Sequence, residues 1–197
     1  LAVPEIAARV IAEGKADLVA IGKGFLADPF WARKAEEGKA DRIRPCIGCH
    51  DGCMGRISKT KPLSCAVNPA TGRERSYRLE QAEKPKKVFI VGGGPAGLEA
   101  ARVAALRGHK VTLWEREDSL GGHLREASVP EFKNDLARYL AWAKRELEGL
   151  DLEVRTGVEV DADLIRSENP EATIIATGSK PVVPRVPGLG KGGAVTA

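Results

Sequence analysis

The strongest structural signal in this chain is Lys87-Val-Phe-Ile-Val-Gly-Gly-Gly-Pro-Ala-Gly97. Its apolar first half predicts a buried strand over residues 87–91, and its second half predicts a glycine turn. The alanine-rich run that follows predicts a helix over residues 98–107, and a second apolar run predicts a strand over residues 109–114. Strand, turn, helix and strand in this order form one unit of a parallel α/β sheet.

The glycines of this turn have the spacing G-x-G-x-x-G, and an acidic residue, Glu115, follows the second strand. In dinucleotide-binding folds the first glycine, here Gly92, makes the turn, and the second, Gly94, lets the backbone approach a pyrophosphate over the helix N-terminus. The third, Gly97, allows the helix to pack closely on the strand, and the acid accepts hydrogen bonds from ribose hydroxyls. The pattern therefore predicts a dinucleotide site, the alternative being a purely structural glycine turn.

All four cysteines of the chain lie upstream of this unit, at Cys46, Cys49, Cys53 and Cys65. Three of them share one short loop, which favours an iron–sulfur cluster. A structural zinc site, which usually uses two separated pairs, is the second interpretation. Disulfides come last, because the chain does not resemble a small secreted scaffold. His50, inside the loop, is interpreted as a neighbour of the site rather than as a ligand.

Composition excludes several classes of function. The chain has 197 residues, a net charge of +4 and only 5% aromatic residues, with its charges spread along the whole length, so no basic and aromatic surface indicates nucleic-acid binding. The opening stretch carries Glu5 and Arg9, and this excludes a signal peptide or a membrane span. Cysteines placed for metal without an export signal predict a reducing cytoplasm. Met54 is the only methionine, so we expect the chain to be a piece of a longer polypeptide.

The first 38 residues predict one repeat of an alternating α/β fold. A helix is expected over residues 4–13, and the apolar run at residues 17–22 is typical of a strand buried on both faces. The loop of Gly22, Lys23 and Gly24 is a candidate phosphate site, although a tight turn with a solvated lysine is equally compatible with it. A further helix is expected to begin at Asp28 and Pro29. Such a repeat needs partner strands to cover its sheet faces.

The rest of the chain predicts further α/β elements. Loop and linker residues end near position 84, where we place a domain boundary. Residues 119–124 predict a second glycine turn, and residues 131–148 predict an amphipathic helix. Strands are expected at residues 152–155 and 157–160, and residues 172–178 predict a buried strand that runs into a glycine turn.

Several motifs together resemble a known family. They are Ile43-Arg-Pro-Cys-Ile-Gly-Cys49, then Cys53, Cys65-Ala-Val-Asn-Pro69, and Val91-Gly-Gly-Gly-Pro-Ala-Gly-Leu-Glu-Ala-Ala101. They are similar to the multidomain NADH:flavin oxidoreductases that include 2,4-dienoyl-CoA reductase, 2-enoate reductase and trimethylamine dehydrogenase. That family joins an Old Yellow Enzyme-like TIM barrel with FMN, a four-cysteine loop with a [4Fe-4S] cluster, and a Rossmann-like domain that binds FAD.

The resemblance implies an α/β chain in three parts. Residues 1–44 would be the last β/α unit of an FMN-binding TIM barrel, and residues 45–84 the [4Fe-4S] cluster loop and linker. Residues 85–197 would be part of a Rossmann-like domain that binds the ADP moiety of FAD. The implied protein is a cytoplasmic oxidoreductase that passes electrons from NAD(P)H through FAD, the cluster and FMN to a small unsaturated substrate. The alternatives are an amine dehydrogenase and a non-catalytic nucleotide-binding module with structural zinc.

The resemblance also implies particular site residues. The metal ligands would be Cys46, Cys49, Cys53 and Cys65. The FMN phosphate would meet Gly22, Lys23 and Gly24, where the family usually has arginine in place of the lysine. The nucleotide would be bound by Gly92, Gly94, Pro95, Ala96, Gly97, Glu115, Arg116, Gly122, Val160, Ala176, Thr177 and Gly178. No residue of this chain is expected to be catalytic.

Overall fold

The structure is a computed structural model that describes residues 3–180 and residue 182. Its strands are β1 Lys87–Val91, β2 Lys110–Trp114, β3 Leu152–Arg155 and β4 Ala172–Ile175. Its α-helices are α1 Pro4–Ala12, α2 Lys23–Ala27, α3 Trp31–Glu36, α4 Met54–Ile57, α5 Pro95–Leu106, α6 Leu124–Ala127, α7 Asn134–Glu148 and α8 Ala162–Glu168. Short 3-10 helices cover Ala40–Arg42 and Glu131–Lys133.

The four strands form one parallel sheet in the order β3-β2-β1-β4. Val88 of β1 is opposite Val111 of β2 on one side and Ala172 of β4 on the other. This is the strand order of one half of a Rossmann-like fold, in which the chain reverses direction across the sheet beside the first strand. The carboxyl ends of β1 and β4 therefore lie side by side, where ligands of such sheets bind.

The core of the sheet confirms the two strands predicted around the glycine turn. Four of the five residues in β1 and four of the five in β2 are buried, which is the pattern of strands covered on both faces. Ile90 and Leu113 are completely buried and pack with Leu98 of α5 and Leu140 of α7. The apolar faces of these two helices thus close one side of the sheet.

Two helices differ slightly from their predicted limits. Helix α5 begins at Pro95 rather than at residue 98, because Pro95 fits the first helical position and Gly94 serves as its N-cap. The predicted helix over residues 131–148 begins with a 3-10 turn, and its α-helical part is Asn134–Glu148. Its buried residues include Trp142 and Leu147, as the amphipathic pattern indicated.

The predictions for residues 17–24 are wrong for the chain as described. Residues 17–22 form no strand, and Leu18 is 87% exposed. A strand of a parallel sheet needs a neighbouring strand to pair with, and all strands of the described residues lie beyond position 86. Lys23 and Gly24 belong to helix α2 rather than to an open loop. Gly24 is buried, and a Cβ there would lie 2.7 Å from the Ile21 Cγ2, so a larger residue would collide with Ile21.

Three smaller predictions are also corrected. Helix α3 begins at Trp31 rather than at Pro29, because Asp28 caps the backbone N–H of Phe30 and turns the chain first. Residues 157–160 form no strand, since their N–H groups at positions 157 and 158 bond to the loop after β2. The last strand was expected to be buried, but Ile174 and Ile175 are 39% and 64% exposed in the described chain.

Residues before the sheet pack against helix α7. The indole N–H of Trp142 donates to the Arg42 carbonyl at 3.1 Å, and the Arg42 guanidinium donates to the Arg145 carbonyl at 3.1 Å. The Arg145 guanidinium in turn donates to the Asp41 carbonyl at 3.0 Å. This interface places the cysteine segment beside the Rossmann-like sheet. Across the part of the chain that the structure describes, no helix has the length and apolar character needed to cross a membrane.

Candidate functional site

The glycine turn after β1 is packed so tightly that two of its residues have no room for a side chain. Gly92 has a φ of +108°, and a Cβ there would lie 2.3 Å from the Ala176 carbonyl oxygen. A Cβ on Gly97 would lie 1.8 Å from the Gly92 carbonyl oxygen. These contacts bring helix α5 directly onto the strand ends. The tight turn at Gly92 and the close helix packing at Gly97 are the structural roles expected of the first and third glycines.

Gly94 differs from these two glycines. Its backbone is extended, with a φ of −74° and a ψ of −176°, and a Cβ there would meet nothing within 4 Å. Gly94 is the N-cap of the 12-residue helix α5, and Pro95 and Ala96 at the start of this helix are exposed. The open space therefore lies over the positive end of a helix, where backbone N–H groups favour an anion.

Glu115 is held in a fixed orientation at the end of β2. It is only 8% exposed, and its Oε2 accepts a hydrogen bond of 2.6 Å from the Gly93 N–H. Its Oε1 accepts a hydrogen bond of 2.9 Å from the Glu117 N–H. Each carboxylate oxygen can accept a second hydrogen bond, so the group can still bind hydroxyls. Its neighbour Arg116 is exposed and pairs with Glu117 at 3.2 Å.

The second glycine turn packs against the first. The Gly121 N–H donates to the Gly93 carbonyl at 2.8 Å, and a Cβ on Gly122 would lie 3.1 Å from the Gly94 Cα. Both Gly121 and Gly122 have positive φ values, of +130° and +49°. The sequence predicted a turn here without indicating its position, and the structure places Gly122 at the edge of the open space over α5.

The remaining residues expected at the nucleotide site come from two other segments. Ala176 follows β4, its N–H donates to the Val91 carbonyl at 2.8 Å, and its own carbonyl faces Gly92. Thr177 and Gly178 are exposed beyond it, and Gly178 has a φ of +73°. Val160 is half-buried in the segment after β3, close in sequence to residue 158, whose N–H donates to the Glu115 carbonyl. Both segments thus reach the carboxyl edge of the sheet.

The four cysteines converge on a second site. Cys46, Cys49, Cys53 and Cys65 line one cavity of about 310 Å³, a volume that includes its open mouth. Cys49 is exposed, and the other three are half-buried. Cys65 comes from a later segment than the other three cysteines. Its position at the same cavity therefore depends on the fold, which the spacing of the cysteines only suggested.

Backbone contacts hold the two cysteine segments together. The Ser64 N–H donates to the Gly52 carbonyl at 2.8 Å, and a Cβ on Gly52 would lie 2.6 Å from the Ser64 carbonyl oxygen. The Gly48 N–H points to the Cys46 sulfur at 3.4 Å, and Gly48 has a φ of +66°. Amide groups directed at thiolates are typical of iron–sulfur sites, so the donor set and its backbone fit a cluster.

Among the residues that the structure describes, no three cysteine, histidine, aspartate or glutamate side chains are placed to bind a single metal ion. All four cysteines nevertheless line the same cavity.

Lys23 joins the cysteine cavity rather than standing apart from it. It lines the cavity together with His50, and its ammonium group lies 2.9 Å from the His50 Nε2. Gly22 is the N-cap of the five-residue helix α2, and Gly24 is buried within it. Of the three residues expected to contact an FMN phosphate, the structure therefore brings only Lys23 to the wall of the cysteine cavity.

Polar side chains that sequence reasoning missed fasten this region. Asp28 is almost completely buried and accepts hydrogen bonds from the Lys34 ammonium at 2.7 Å and from the Arg44 N–H at 2.9 Å. Asn68 and Thr71 both donate to the Leu26 carbonyl, at 2.9 Å and 2.8 Å. These bonds tie helix α2 to both cysteine segments. Nothing in their local sequence pattern indicated such long-range pairing.

A group of charged and aromatic side chains lies between the cysteine region and helices α5 and α7. Burial lowers the pKa of the Arg44 guanidinium, and the charge of Arg102 adds to this effect. Burial also disfavours the charged form of Arg102, but its hydrogen bonds to Glu99, together with the negative charges of Glu99 and Glu146, raise its pKa. Burial raises the pKa of the Tyr139 phenol, and the Glu99 carboxylate adds to the rise. Arg102 is buried in this group, whereas Arg44 and Tyr139 are half-buried.

Comparison with known proteins identifies the family of this chain. Residues 90–146 match the family described as "NAD(P)-binding Rossmann-like domain". "NADH oxidase" from Thermoanaerobacter brockii is 48% identical over 190 residues, and "Cinnamate reductase" from Clostridium sporogenes is 45% identical over 188 residues. The solved structure of 2-naphthoyl-CoA reductase with 2-naphthoyl-CoA superposes with a TM-score of 0.89 at 36% identity and covers 93% of this chain. The chain belongs to the Old Yellow Enzyme-like NADH:flavin oxidoreductase family.

This membership confirms the resemblance noted in the sequence. The matches to the two named relatives cover 95% of this chain, so they include both the cysteine segment and the glycine turn. The chain spans 29% of the length of the first relative, 28% of the second, and 28% of the solved reductase. It therefore corresponds to a little under a third of a typical oxidoreductase of this family.

Proposed function

We propose that this chain contributes to an NAD(P)H-dependent iron–sulfur flavoprotein that reduces an activated carbon–carbon double bond in a small substrate. The single observation that carries this proposal is the convergence of four cysteines on one cavity, beside a sheet whose glycine turn is open over a helix N-terminus. The names of the relatives, which include a cinnamate reductase and a 2-naphthoyl-CoA reductase, support a reductase of conjugated compounds.

The proposed nucleotide site binds the ADP part of FAD. The pyrophosphate would lie over Gly94 and the N-terminus of α5, where the open space and the positive end of the helix favour it. Glu115 accepts the ribose hydroxyls with the lone pairs that its two backbone hydrogen bonds leave free. Val160, Thr177 and Gly178 border the adenine and ribose from the neighbouring segments.

The proposed metal centre is a [4Fe-4S] cluster held by the four cysteine thiolates. Such a cluster supplies single-electron transfer, whereas flavins exchange either one or two electrons and so connect it with nicotinamide and substrate chemistry. The Gly48 N–H bonds to the Cys46 sulfur, and Gly52 lets the second cysteine segment approach the first. These residues orient the thiolates and limit the access of water from behind.

We further propose that residues 1–44 are the end of an FMN-binding TIM barrel, residues 45–84 the cluster segment and residues 85–197 part of the FAD domain. Residues 1, 2, 181 and 183–197 lie outside the described part. The exposure of Leu18, at 87%, supports this division, because an apolar side chain in a barrel strand becomes buried once its neighbours pair with it. Lys23 has three N–H donors and uses one of them on His50, so it can also bind a phosphate.

The test is cofactor analysis of the full-length protein, purified without oxygen. We expect iron and acid-labile sulfide in equal amounts, together with flavin absorbance that NAD(P)H bleaches and that an enoate or enoyl thioester restores. A colourless protein that contains zinc would contradict the proposal and would favour the non-catalytic module. Bleaching by an amine in place of NAD(P)H would favour the amine dehydrogenases.

A further inference from the structure

Arg44 connects the segment that holds Cys46, Cys49 and Cys53 with the segment that holds Cys65. It stands two residues before Cys46, and its guanidinium donates to the carbonyl of Val67, two residues after Cys65, at 2.8 Å. Its backbone N–H donates to the buried Asp28 carboxylate at 2.9 Å. One side chain therefore fixes the distance between the two ends of the cysteine site.

The same guanidinium is stacked on the Rossmann-like domain. Its Cζ lies 4.6 Å from the ring centroid of Trp142, which is 3% exposed and donates its indole N–H to the Arg42 carbonyl. Arginine binds aromatic faces in this way because its planar charge faces the negative ring surface. Arg44 is thus enclosed between the cysteine region and helix α7, with little freedom to move.

The positive charge of Arg44 is not cancelled by a close carboxylate. In the described part of the chain, no ion pair within 4.0 Å involves Arg44. The nearby carboxylates are already engaged, since Glu99 makes two hydrogen bonds to Arg102, at 2.9 Å and 2.8 Å, and Asp28 pairs with Lys34 at 2.7 Å. An arginine side chain keeps its charge in proteins. A fixed positive charge therefore lies between the second cysteine segment and Trp142, on a side chain that is only partly exposed.

We propose that Arg44 is a positioning residue that holds both cysteine segments around the cluster and raises the reduction potential of that cluster through its partly buried charge. This inference rests on the proposed function, because it requires an iron–sulfur cluster in the cavity. One-electron reduction adds negative charge to the cluster. A nearby positive charge stabilises the reduced form, and it does so more strongly where water is excluded. Net charge and hydrogen bonding are among the factors that set the potentials of such clusters.

Substitutions at Arg44 separate its charge from its shape. Arg44→Gln removes the charge, whereas Arg44→Lys keeps the charge but loses the planar fork and the stacking on Trp142. Both variants are measured in the full-length protein by a redox titration followed by electron paramagnetic resonance. We expect the midpoint potential to fall in Arg44→Gln and to stay close to that of the unmodified protein in Arg44→Lys. Arg166→Gln, which changes an exposed arginine on α8, is the matched control and should not shift the potential.

Iron retention tests the positioning role separately. Both Arg44 variants should release iron to a chelator about 10- to 100-fold faster than the unmodified protein, which is the usual effect of losing a residue that supports metal ligands. Variants that lose the cluster during purification are reconstituted with iron and sulfide before the titration. If the cluster can be reconstituted in Arg44→Lys but not in Arg44→Gln, the result would also support the inference. The lysine variant keeps the positive charge and one donor group, and these would then be sufficient to hold the cluster.

The outcomes distinguish this inference from the proposed function. Absence of iron and sulfide in the unmodified protein would overturn the proposed function itself. A normal cluster in the unmodified protein, with equal potentials in Arg44→Gln and the unmodified protein, would overturn the electrostatic role of Arg44 alone. Equal shifts of the midpoint potential in Arg44→Gln and Arg44→Lys would show that Arg44 acts through packing. That result would overturn its electrostatic role as well.

Discussion

Residues 85–180 are held together by a parallel sheet and its apolar core, whereas residues 3–84 are held together mainly by hydrogen bonds from polar side chains. The sheet buries Ile90 and Leu113 completely. The earlier region, as far as the structure describes it, contains helices but no strand, and its buried apolar cluster consists of Ala7, Trp31 and Ile43. A small apolar cluster stabilises little, so this region depends more on specific contacts.

The difference indicates that the two regions depend on bound groups to different degrees. Backbone hydrogen bonds and apolar burial stabilise the sheet without any ligand. The cysteine segments instead meet around a cavity, and metal binding can supply folding free energy to such a site. We therefore expect the earlier region to respond strongly to metal removal and the sheet to respond weakly. The following predictions test this contrast.

The largest effect is expected from Cys65→Ser in the full-length protein. The variant should lose nearly all of its iron, because one of the four thiolates is missing. Trypsin should then cleave faster after Lys59, an exposed residue between the cysteine segments, while the sheet stays protected. Iron analysis and the mapped cleavage sites provide the measurement.

Ser58→Ala is the control for this experiment, since Ser58 is an exposed residue of the same region. Its iron content and cleavage rate should not change. Equal cleavage within the sheet and the cysteine segments of Cys65→Ser would contradict the contrast, because it would show that the two regions unfold together.

A pair of leucine substitutions probes the apolar core. Leu113→Ala should lower the free energy of unfolding by about 2–5 kcal/mol, because Leu113 is completely buried beneath α5 and α7. Leu18→Ala removes the same atoms from a side chain that is 87% exposed in this chain, so here the change should be within about 0.5 kcal/mol. Denaturant unfolding of both variants gives the comparison.

The same Leu18→Ala substitution tests the proposed barrel when it is made in the full-length protein. A destabilisation similar to that of Leu113→Ala is expected there, because pairing with barrel strands would bury Leu18. No destabilisation in the full-length protein would speak against assigning residues 17–22 to a barrel strand.

Two glycine substitutions separate packing from ligand binding within the Rossmann-like domain. Gly97→Ala should cost about 1–3 kcal/mol of stability, since its Cβ would lie 1.8 Å from the Gly92 carbonyl oxygen. Gly94→Ala should leave stability nearly unchanged, because its Cβ would meet open space. It should nevertheless weaken FAD binding about tenfold or more, which corresponds to about 1.4 kcal/mol. Normal FAD affinity in Gly94→Ala would place the pyrophosphate elsewhere.

The same contrast explains what could be predicted from sequence. The limits of β1 and most of α5 and β2 were correct because the signals for them are local: an apolar run, a glycine turn and an alanine-rich helix. The expected strand at residues 17–22 was wrong in this chain because a strand requires partners that local sequence does not show. Helix α2 was missed because Gly22 and Gly24 suggested a loop, whereas Gly24 lies within the helix.

The candidate sites show the same division. Spacing predicted that the four cysteines belong to one site, and the structure places all four on one cavity. The residues that support this cavity, such as Arg44 and Asn68, were not recognised as its supports, because they act through contacts across 23 and 42 residues of sequence. Local sequence patterns indicate which atoms can bind a ligand. Long-range packing determines which residues orient these atoms and which charges lie near them.

The smallest predicted effect is a pH dependence at the interface between the two regions. Burial raises the pKa of Tyr139 above its ordinary value of 10.0, and the Glu99 carboxylate adds to this while Arg44 and Arg102 oppose it. Above pH 10 the unfolded chain loses the phenol proton first, whereas the folded protein still holds it. The free energy of unfolding should therefore fall as the pH rises from about 10 through the higher pKa of the folded state, and below pH 10 this contribution is constant.

Tyr139→Phe isolates this contribution, because it removes the titrating hydroxyl and keeps the ring that packs 5.7 Å from Trp142. Denaturant unfolding between pH 9 and pH 11 should show a shallower loss of stability in the variant than in the unmodified protein. Identical pH profiles would mean that the phenol is as solvated in the folded state as in the unfolded chain. The interface between the cysteine region and α7 would then be wet, and the field of Arg44 at the cluster would be correspondingly weak.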